Sequence, residues 1–382
     1  MGGITLVIEP RNLERKFIRS VRNRGFFVTA SGCKNSVTES GQMILISTSK
    51  SKESFKISRK QIRNAIRYMQ VYRTAIREDM QRFSKFSSAL FGILIEIFKG
   101  HSKIETLKTG LFRLSMLGVR FYAGGLEKDP FLRGEFKKIG GKYVLLNYYQ
   151  LLQTSFDWVH WLEKTDSYAL IDSGSYSDFS KKQKELKAAY QQMDLFSEDT
   201  LTDKYIEGYA QFINRHKDNP RIIGFFPFDV VGDPQKTKEN YELLKKRTDA
   251  KVYPVWQFTD TLNELEQMVN EEHEVIGIGG MVLYLSKRIE KVRAALQEVF
   301  KRYSTVNFHF LGIANELLFE FPCFSSDGTA FLNARKSKRQ RQVYLEDGSR
   351  VSAPEGMSTL EIIQQNLRFL MRLEDNSPSF NF

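Results

Sequence analysis

The chain has only two cysteines in 382 residues, Cys33 and Cys323, and neither belongs to a C-x-x-C or Cys/His cluster. A disulfide framework and a structural zinc site are therefore not expected. The five histidines, His101, His160, His216, His273 and His309, are widely separated, with no H-x-x-x-H or H-E-x-x-H spacing. Metal chemistry has no support in this pattern. Long apolar runs are also missing: the longest, Ala89 to Phe98, contains Glu96 and covers about half a membrane span. No basic segment precedes the short apolar run Ile4 to Ile8, so no secretory signal is expected. These absences predict a soluble, intracellular protein of a reducing compartment, with no membrane association.

Acidic residues are scarce in one region only. Residues 1–116 hold 22 Lys/Arg against 8 Asp/Glu, a net of +14, whereas the remaining 266 residues hold 35 against 37, a net of −2. The basicity belongs to an N-terminal module, and a concentrated positive field is the footprint of a polyanion binder, with a solvated surface as the plainer alternative. Overall, 41% hydrophobic, 13% aromatic and 27% charged residues describe an ordinary globular chain with room for a barrel of about 250 residues plus an appendage.

Up to about Ser54 the pattern is one of short strands and turns, in ITLVI, GFFVTAS and QMILIST, followed by the polar linker SKSKES. From Ser58, an N-cap, Ile62, Ile66, Met69, Tyr72 and Ile76 recur at three- and four-residue spacing, with Arg59, Arg63, Arg67, Arg73 and Arg77 largely off that stripe. This is a basic amphipathic helix, whose Arg63 and Arg67 are candidates for phosphate contact. A Tyr/Met stripe at this spacing equally suits a core.

Beyond residue 117 the pattern alternates strand and connection. Eight candidate strands follow: 119–123, 142–147, 168–173, 221–229, 251–257, 274–279, 307–313 and 317–324. Helical stretches are expected at 180–193, 202–216, 233–248, 262–270 and 287–303. Eightfold alternation predicts an α/β fold, a (β/α)8 TIM-type barrel at 117–382 following an N-terminal basic α+β domain at 1–116. An open doubly wound sheet is the competitor, but no G-x-G-x-x-G opens a helix after a first strand.

Asp172 in LIDSGSYS, Asp229 in FPFDVVGDP, Gly279 and Gly280 in IGIGGM, and Asp327 in FSSDGTAF each sit just after an apolar run. In a barrel they share the C-terminal face of the strands, where catalytic groups gather. Three converging carboxylates can divide a displacement at an anomeric carbon among attack, proton transfer and recognition. Each aspartate alone also reads as a turn or cap residue.

In order, DSGSYS, FDVVGDPQKTKENY, PVWQF, IGIGG, HFLGI and SSDGTAF resemble the signatures of the tRNA-guanine transglycosylase superfamily. They are most similar to its DNA-acting branch, the deazaguanine DNA transglycosylases often called DpdA. The resemblance covers some 220 residues, from FYAGG near Phe121 to about Arg341, and none of the N-terminal 116. It implies an enzyme, a pentosyltransferase without a cofactor, that exchanges guanine in DNA for a 7-deazaguanine base such as preQ0 on the same anomeric carbon. By motif, Asp327 is the implied nucleophile and Asp172 the implied proton-transfer residue. Asp229, Gln257, Ser173, Gly279 and Gly280 are the implied base-binding set. Phe226, Phe228 and Trp256 are candidates for stacking on the base, with core packing as the alternative.

The chain departs from the tRNA-acting pattern at Ser175 and Tyr176, where those enzymes continue Gly-Phe-Gln, in the residues after Gln257, and in lacking their C-x-C-x-x-C and His zinc site. An exchanger acting on tRNA without zinc and a non-catalytic nucleic-acid-binding protein are the alternatives. A buried duplex base must be flipped out or lie in a single strand for such chemistry. The basic N-terminal module and Arg335, Lys336, Lys338, Arg339 and Arg341 in NARKSKRQR suit contact with the phosphates. A helper protein or a homodimer, and the cytoplasm of a bacterium or of a phage-infected host, are compatible with that resemblance.

Overall fold

The computed structural model describes residues 8–49, 54–174 and 198–374, and the chain divides into two compact units, 1–118 and 119–382. The sequence placed this division two residues earlier.

The first unit opens with a helix, α1 (Pro10–Arg24), where turns and strands were expected. Proline at its first turn needs no N–H donor, Leu13, Phe17, Ile18 and Val21 form its buried stripe, and Gly25 at φ 81° ends it with an N–H bond to Val21 O. Strands β1 (Phe27–Val28), β2 (Lys34–Ser40), β3 (Met43–Thr48) and β4 (Ser54–Ser58) form an antiparallel sheet in sequential order. Helix α2 (Arg59–Tyr72) starts at the expected Ser58 cap, closed reciprocally by Gln61, and stops earlier than its periodicity suggested. Arg73 takes a left-handed φ of 62°, and the chain turns into β5 (Thr74–Ile76), which pairs with β7 (Phe112–Met116), itself paired with β6 (Ser102–Thr106). The apolar run near residue 90 becomes α3 (Ser87–Ile97), packed with α1 and α2 in one core.

The second unit is a (β/α)8 barrel. Its strands are β8 (Arg120–Ala123), β9 (Tyr143–Asn147), β10 (Tyr168–Asp172), β11 (Ile222–Phe225), β12 (Val255–Gln257), β13 (Ile276–Gly279), β14 (Phe308–Phe310) and β15 (Ser325–Gly328). All neighbours run parallel in the order β11-β10-β9-β8-β15-β14-β13-β12. Phe225 N–H to Lys251 O at 3.0 Å and Tyr253 N–H to Phe225 O at 2.9 Å close the ring. Between the strands lie α4 (Pro130–Lys138), α5 (Tyr148–Leu151), α6 (Trp158–Lys164), α7 (Glu198–His216), α8 (Pro234–Lys245), α9 (Leu262–Asn270), α10 (Ile289–Arg302) and α11 (Leu317–Glu320). A hairpin, β16 (Gln342–Tyr344) and β17 (Arg350–Ser352), and α12 (Thr359–Met371) follow the last strand. Among the described residues no helix is long and apolar enough to cross a membrane.

Two expectations are corrected here. The apolar run at 317–324 is not the eighth strand: Leu317–Glu320 is a helical turn whose Leu317 and Leu318 pack into the core, and the strand is Ser325–Gly328. Asp327 therefore stands within the strand rather than after it. The fourth strand ends at Phe225, so Asp229 lies in the loop beyond it. The helix expected at 180–193 lies outside the described residues.

At the start of β8, Arg120 is buried over the Tyr143 ring, 3.7 Å from its centroid, and pairs with Glu374 at 2.6 and 3.1 Å. Burial opposes its charge, but Glu374 and the neighbouring tyrosine oxygens outweigh that and raise its pKa above the usual arginine value.

Candidate active site

The C-terminal ends of the strands surround a cavity of about 840 Å³, and Asp172, Asp229 and Asp327 all line it. That volume lies within the usual range for small-molecule sites.

Asp327 is 6% exposed, and its Oδ1 accepts two bonds, from Gly312 N–H at 2.9 Å and from His309 Nε2 at 3.2 Å. A carboxylate oxygen accepts, so Nε2 is assigned the proton in this contact. The other ring nitrogen, Nδ1, lies 2.8 Å from Ser325 Oγ, and Phe226 packs on the imidazole with centroids 4.7 Å apart. The clamp fixes the Asp327 rotamer from one side. Among the described residues, Oδ2 makes no hydrogen bond. Gly312, at φ 73°, adopts a backbone that glycine tolerates and that presents its N–H to the carboxylate.

Asp172 ends β10, accepts from Gly174 N–H at 3.3 Å, and has Asn147 Nδ2 at 3.5 Å. Burial raises its pKa most, the charges of Asp327 and Asp229 add to it, and backbone bonds from Gly174 and Ser173 oppose it, so the carboxyl is pushed up to about 7. Gly174 has φ 107°, and a Cβ there would meet Tyr149 Cβ at 2.6 Å. The DSG turn thus requires glycine on conformational and steric grounds.

Asp229 is held by Gln257 Nε2 at 2.8 Å and Thr237 Oγ1 at 3.1 Å, both donating to Oδ1. Burial pushes its pKa up against these bonds. Its Oδ2 is so near Gly279 that a Cβ there would lie 2.9 Å away.

The other residues singled out in the sequence fall into two groups. Gly280 lines the cavity. Gln257 is 1% exposed and does not: its amide also donates to Val230 O at 2.6 Å and Thr237 Oγ1 at 2.9 Å and accepts from Gly232 N–H at 2.8 Å. It braces the FDVVGDP loop, and so reaches any ligand through Asp229. Ser173 is buried, with Oγ donating to Pro227 O at 3.1 Å, and joins β10 to the loop after β11. Phe226 lines the cavity, whereas Phe228 and Trp256 are core side chains. Ser175 and Tyr176 lie outside the described residues.

Of the basic candidates, Lys336, Lys338 and Arg339 are exposed. Arg335 pairs with Asp129 at 2.6 Å, and Arg341 is tied to Thr359 Oγ1 at 2.7 Å and to Met357 O. In the first unit Arg67 is exposed, but Arg63 is half-buried and faces Glu14 at 3.4 Å.

Sequence reasoning missed two residues. His309 was noted only as a lone histidine, because its place beside a cavity aspartate on the next strand becomes visible only once β14 and β15 pair. Glu127 follows β8 and lines the cavity as a fourth carboxyl, accepting from Asn147 N–H at 2.7 Å, with burial raising its pKa. Its signal was available: it closes the first strand's AGGLE segment at the same end of the barrel. Among the described residues no group of three His, Cys, Asp or Glu side chains is arranged to hold a metal ion.

Fold and site together define a (β/α)8 barrel with an acidic cavity at the C-terminal face of its strands. No family model matches the chain, and no curated protein matches it. Among solved structures, a mutant tryptophan synthase α-subunit from the hyperthermophile Pyrococcus furiosus is 12% identical, with 66% of this chain and 97% of that one covered and a TM-score of 0.37. The tryptophan synthase α-subunit of Legionella pneumophila str. Paris is 10% identical, with 66% and 92% covered and a TM-score of 0.35. A calcium-binding mutant of Bacteroides uniformis β-glucuronidase 2 is 9% identical, with 78% and 36% covered and a TM-score of 0.34. Likeness of this extent bears on neither substrate nor chemistry.

Proposed function

We propose that the protein is a DNA-guanine transglycosylase, a pentosyltransferase that replaces guanine in DNA with a 7-deazaguanine base through a covalent aspartyl-sugar intermediate. The observation that carries this reading is the different setting of two carboxyls in one cavity. Asp327, at the cavity wall, is clamped through Oδ1 while Oδ2 makes no hydrogen bond among the described residues, and Asp172 is raised to about 7, where it can give and take a proton near neutrality.

In the first half-reaction Asp327 Oδ2 forms a bond to the anomeric carbon as the glycosidic bond breaks. The bonding pair leaves with guanine, which takes the Asp172 proton. In the second, Asp172 removes a proton from the incoming base, whose nitrogen attacks the same carbon, and the bond to Asp327 breaks with its pair returning to the carboxylate. Sugar configuration is retained after two displacements. Asp229 accepts from the guanine N1–H and amino group, which adenine does not offer together. Two such donors favour its ionised form against the burial that raises its pKa. Gln257 and Thr237 hold Oδ1 in place for that reading.

The test is release of labelled guanine from duplex DNA, and in parallel from tRNA, in the presence of a deazaguanine base such as preQ0, together with trapping of a denaturation-resistant adduct. Release from DNA that is lost with Asp327→Ala supports the proposal. Release from tRNA alone transfers the same chemistry to the other polymer, and salt-sensitive binding with no release from either marks a non-catalytic binder.

A further inference from the structure

On α2 the exposed cations are Lys60 and Arg67, whereas α1 presents a longer row. On α2, Arg59 reaches Glu14 at 2.7 Å and also Glu39, and Arg63 faces the same Glu14 at 3.4 Å. Glu14 is 1% exposed, so these arginines neutralise a buried carboxylate at the helix–helix contact. Arg73 is buried, and one guanidinium nitrogen donates to both Leu117 O and Gly118 O.

The opposite holds on α1, which carries six basic residues and one acidic residue, that buried Glu14. Arg11, Arg15, Lys16, Arg19 and Arg22 are all exposed. At about 100° per residue, Arg11, Arg15, Arg19 and Arg22 fall within roughly 80° of one another, on the side away from Leu13, Phe17 and Val21, with buried Ile18 bordering the arc beside Arg11. Arg22 also meets Glu39. From Arg11 to Arg22 the stripe is about 16 Å long at 1.5 Å per residue. One DNA strand rises about 3.4 Å per phosphate, so the part from Arg11 to Arg19, about 12 Å, spans roughly three to four phosphates.

We propose that this α1 stripe, with Arg11, Arg15 and Arg19 as its contacts, is a docking surface for the sugar-phosphate backbone of duplex DNA. The charge pattern supplies the polyanion, and the choice of DNA rests on the proposed function. A regular row of guanidinium groups without aromatic side chains among them grips phosphates in any sequence and reads no base. It retains the polymer while the barrel acts.

The experiment uses the full chain and a fluorescent duplex, with affinity measured across salt concentration. Each lost phosphate contact lowers the slope of log K against log salt by about 0.9. Arg11→Gln/Arg15→Gln/Arg19→Gln is expected to lower it by about 2 to 3, equally for unrelated sequences. Glutamine keeps the helix propensity of these exposed positions, and circular dichroism checks the fold. A control, Lys164→Gln/Lys245→Gln/Lys301→Gln, removes the same charge from exposed barrel positions. An unchanged slope in the α1 variant, or an equal fall in the control, overturns the proposal, as does binding of the chain to anionic phosphatidylglycerol vesicles but not to DNA. Asp327→Asn should bind DNA with the wild-type slope. A chain that exchanges no base yet loses slope in the α1 variant would sink the transglycosylase reading and leave the docking surface standing.

Discussion

Replacing Asp172 with asparagine should stabilise the barrel at alkaline pH while abolishing proton transfer. The carboxyl has an ordinary value of 3.8 and is pushed up to about 7 in the fold, chiefly by burial and then by Asp327 and Asp229. The folded state therefore binds this proton more tightly than the unfolded state. The stabilisation it brings is complete below about pH 3.8, declines as pH rises and is gone above about 7. Between about pH 5 and pH 8 this single group costs the wild type on the order of 2–3 kcal/mol, and Asp172→Asn should lack that loss. The three tryptophans, Trp158, Trp161 and Trp256, all belong to the barrel unit, so their fluorescence follows its unfolding in urea. The midpoint of the wild type should fall between about pH 5 and pH 8 by about 1 M more than that of the variant. Glu127 and Asp229, also raised by burial, titrate in both proteins, but the repulsion between Asp172 and its neighbours Asp327 and Asp229 is absent from the variant, so the difference between the two includes that coupling. An identical pH dependence in the two proteins would refute the assignment of Asp172 as the high-pKa carboxyl.

Under the proposed mechanism, with saturating DNA, the first half-reaction should fall tenfold per pH unit above about 7 as Asp172 loses its proton, and a profile flat to about pH 9 would exclude it as the acid. Gln257→Leu removes the donor to Asp229 Oδ1 and leaves Val230 O, Thr237 Oγ1 and Gly232 N–H short of a partner. It should cost roughly 2–4 kcal/mol in urea unfolding and weaken selection of guanine over adenine. Gly279→Ala places a methyl group 2.9 Å from Asp229 Oδ2, so it should raise KM for the incoming base at least tenfold with little change in the circular dichroism spectrum. Glu374→Ala strands Arg120 without its carboxylate in the core and should destabilise the barrel by about 3–5 kcal/mol, seen as a lowered urea midpoint.

The barrel was legible because its strands are near-continuous apolar runs and its helices carry their own punctuation. Leu262–Asn270 was bounded correctly, and its Thr261 cap accepts from Glu264 N–H. Where legibility failed, local pattern and tertiary position disagreed. LLFEFPCF has a strand's composition, but Leu317 and Leu318 meet the core from a helical turn, and the true strand, Ser325–Gly328, is polar, with Ser325 bonded to His309 and Ser326 donating to the carbonyls of Phe310 and Ile313. Helix α1 was hidden by its arginines, which dilute an apolar stripe of only Leu13, Phe17, Ile18 and Val21.

The carboxylates were visible for a related reason: a charged residue directly after an apolar run is conspicuous, and strand polarity sends such residues to one end of a closed sheet. What surrounds them was not, since it is recruited across strands. Asp327 owes its clamp to His309 and Gly312 on the neighbouring strand and loop, and Asp229 owes its bracing to Gln257 and Thr237, 28 and 8 residues away in the chain. Gln257 shows the consequence most clearly. Its place at a strand end is that of a ligand-reading side chain, yet it does not line the cavity and its amide is engaged by Asp229, Val230, Thr237 and Gly232. Under the proposed function, a polar residue at the C-terminal face of the strands thus serves recognition at one remove, by fixing the Asp229 carboxylate. Loss of Gln257 should therefore impair discrimination between bases more than the attack by Asp327, which does not depend on that loop for either of its bonds.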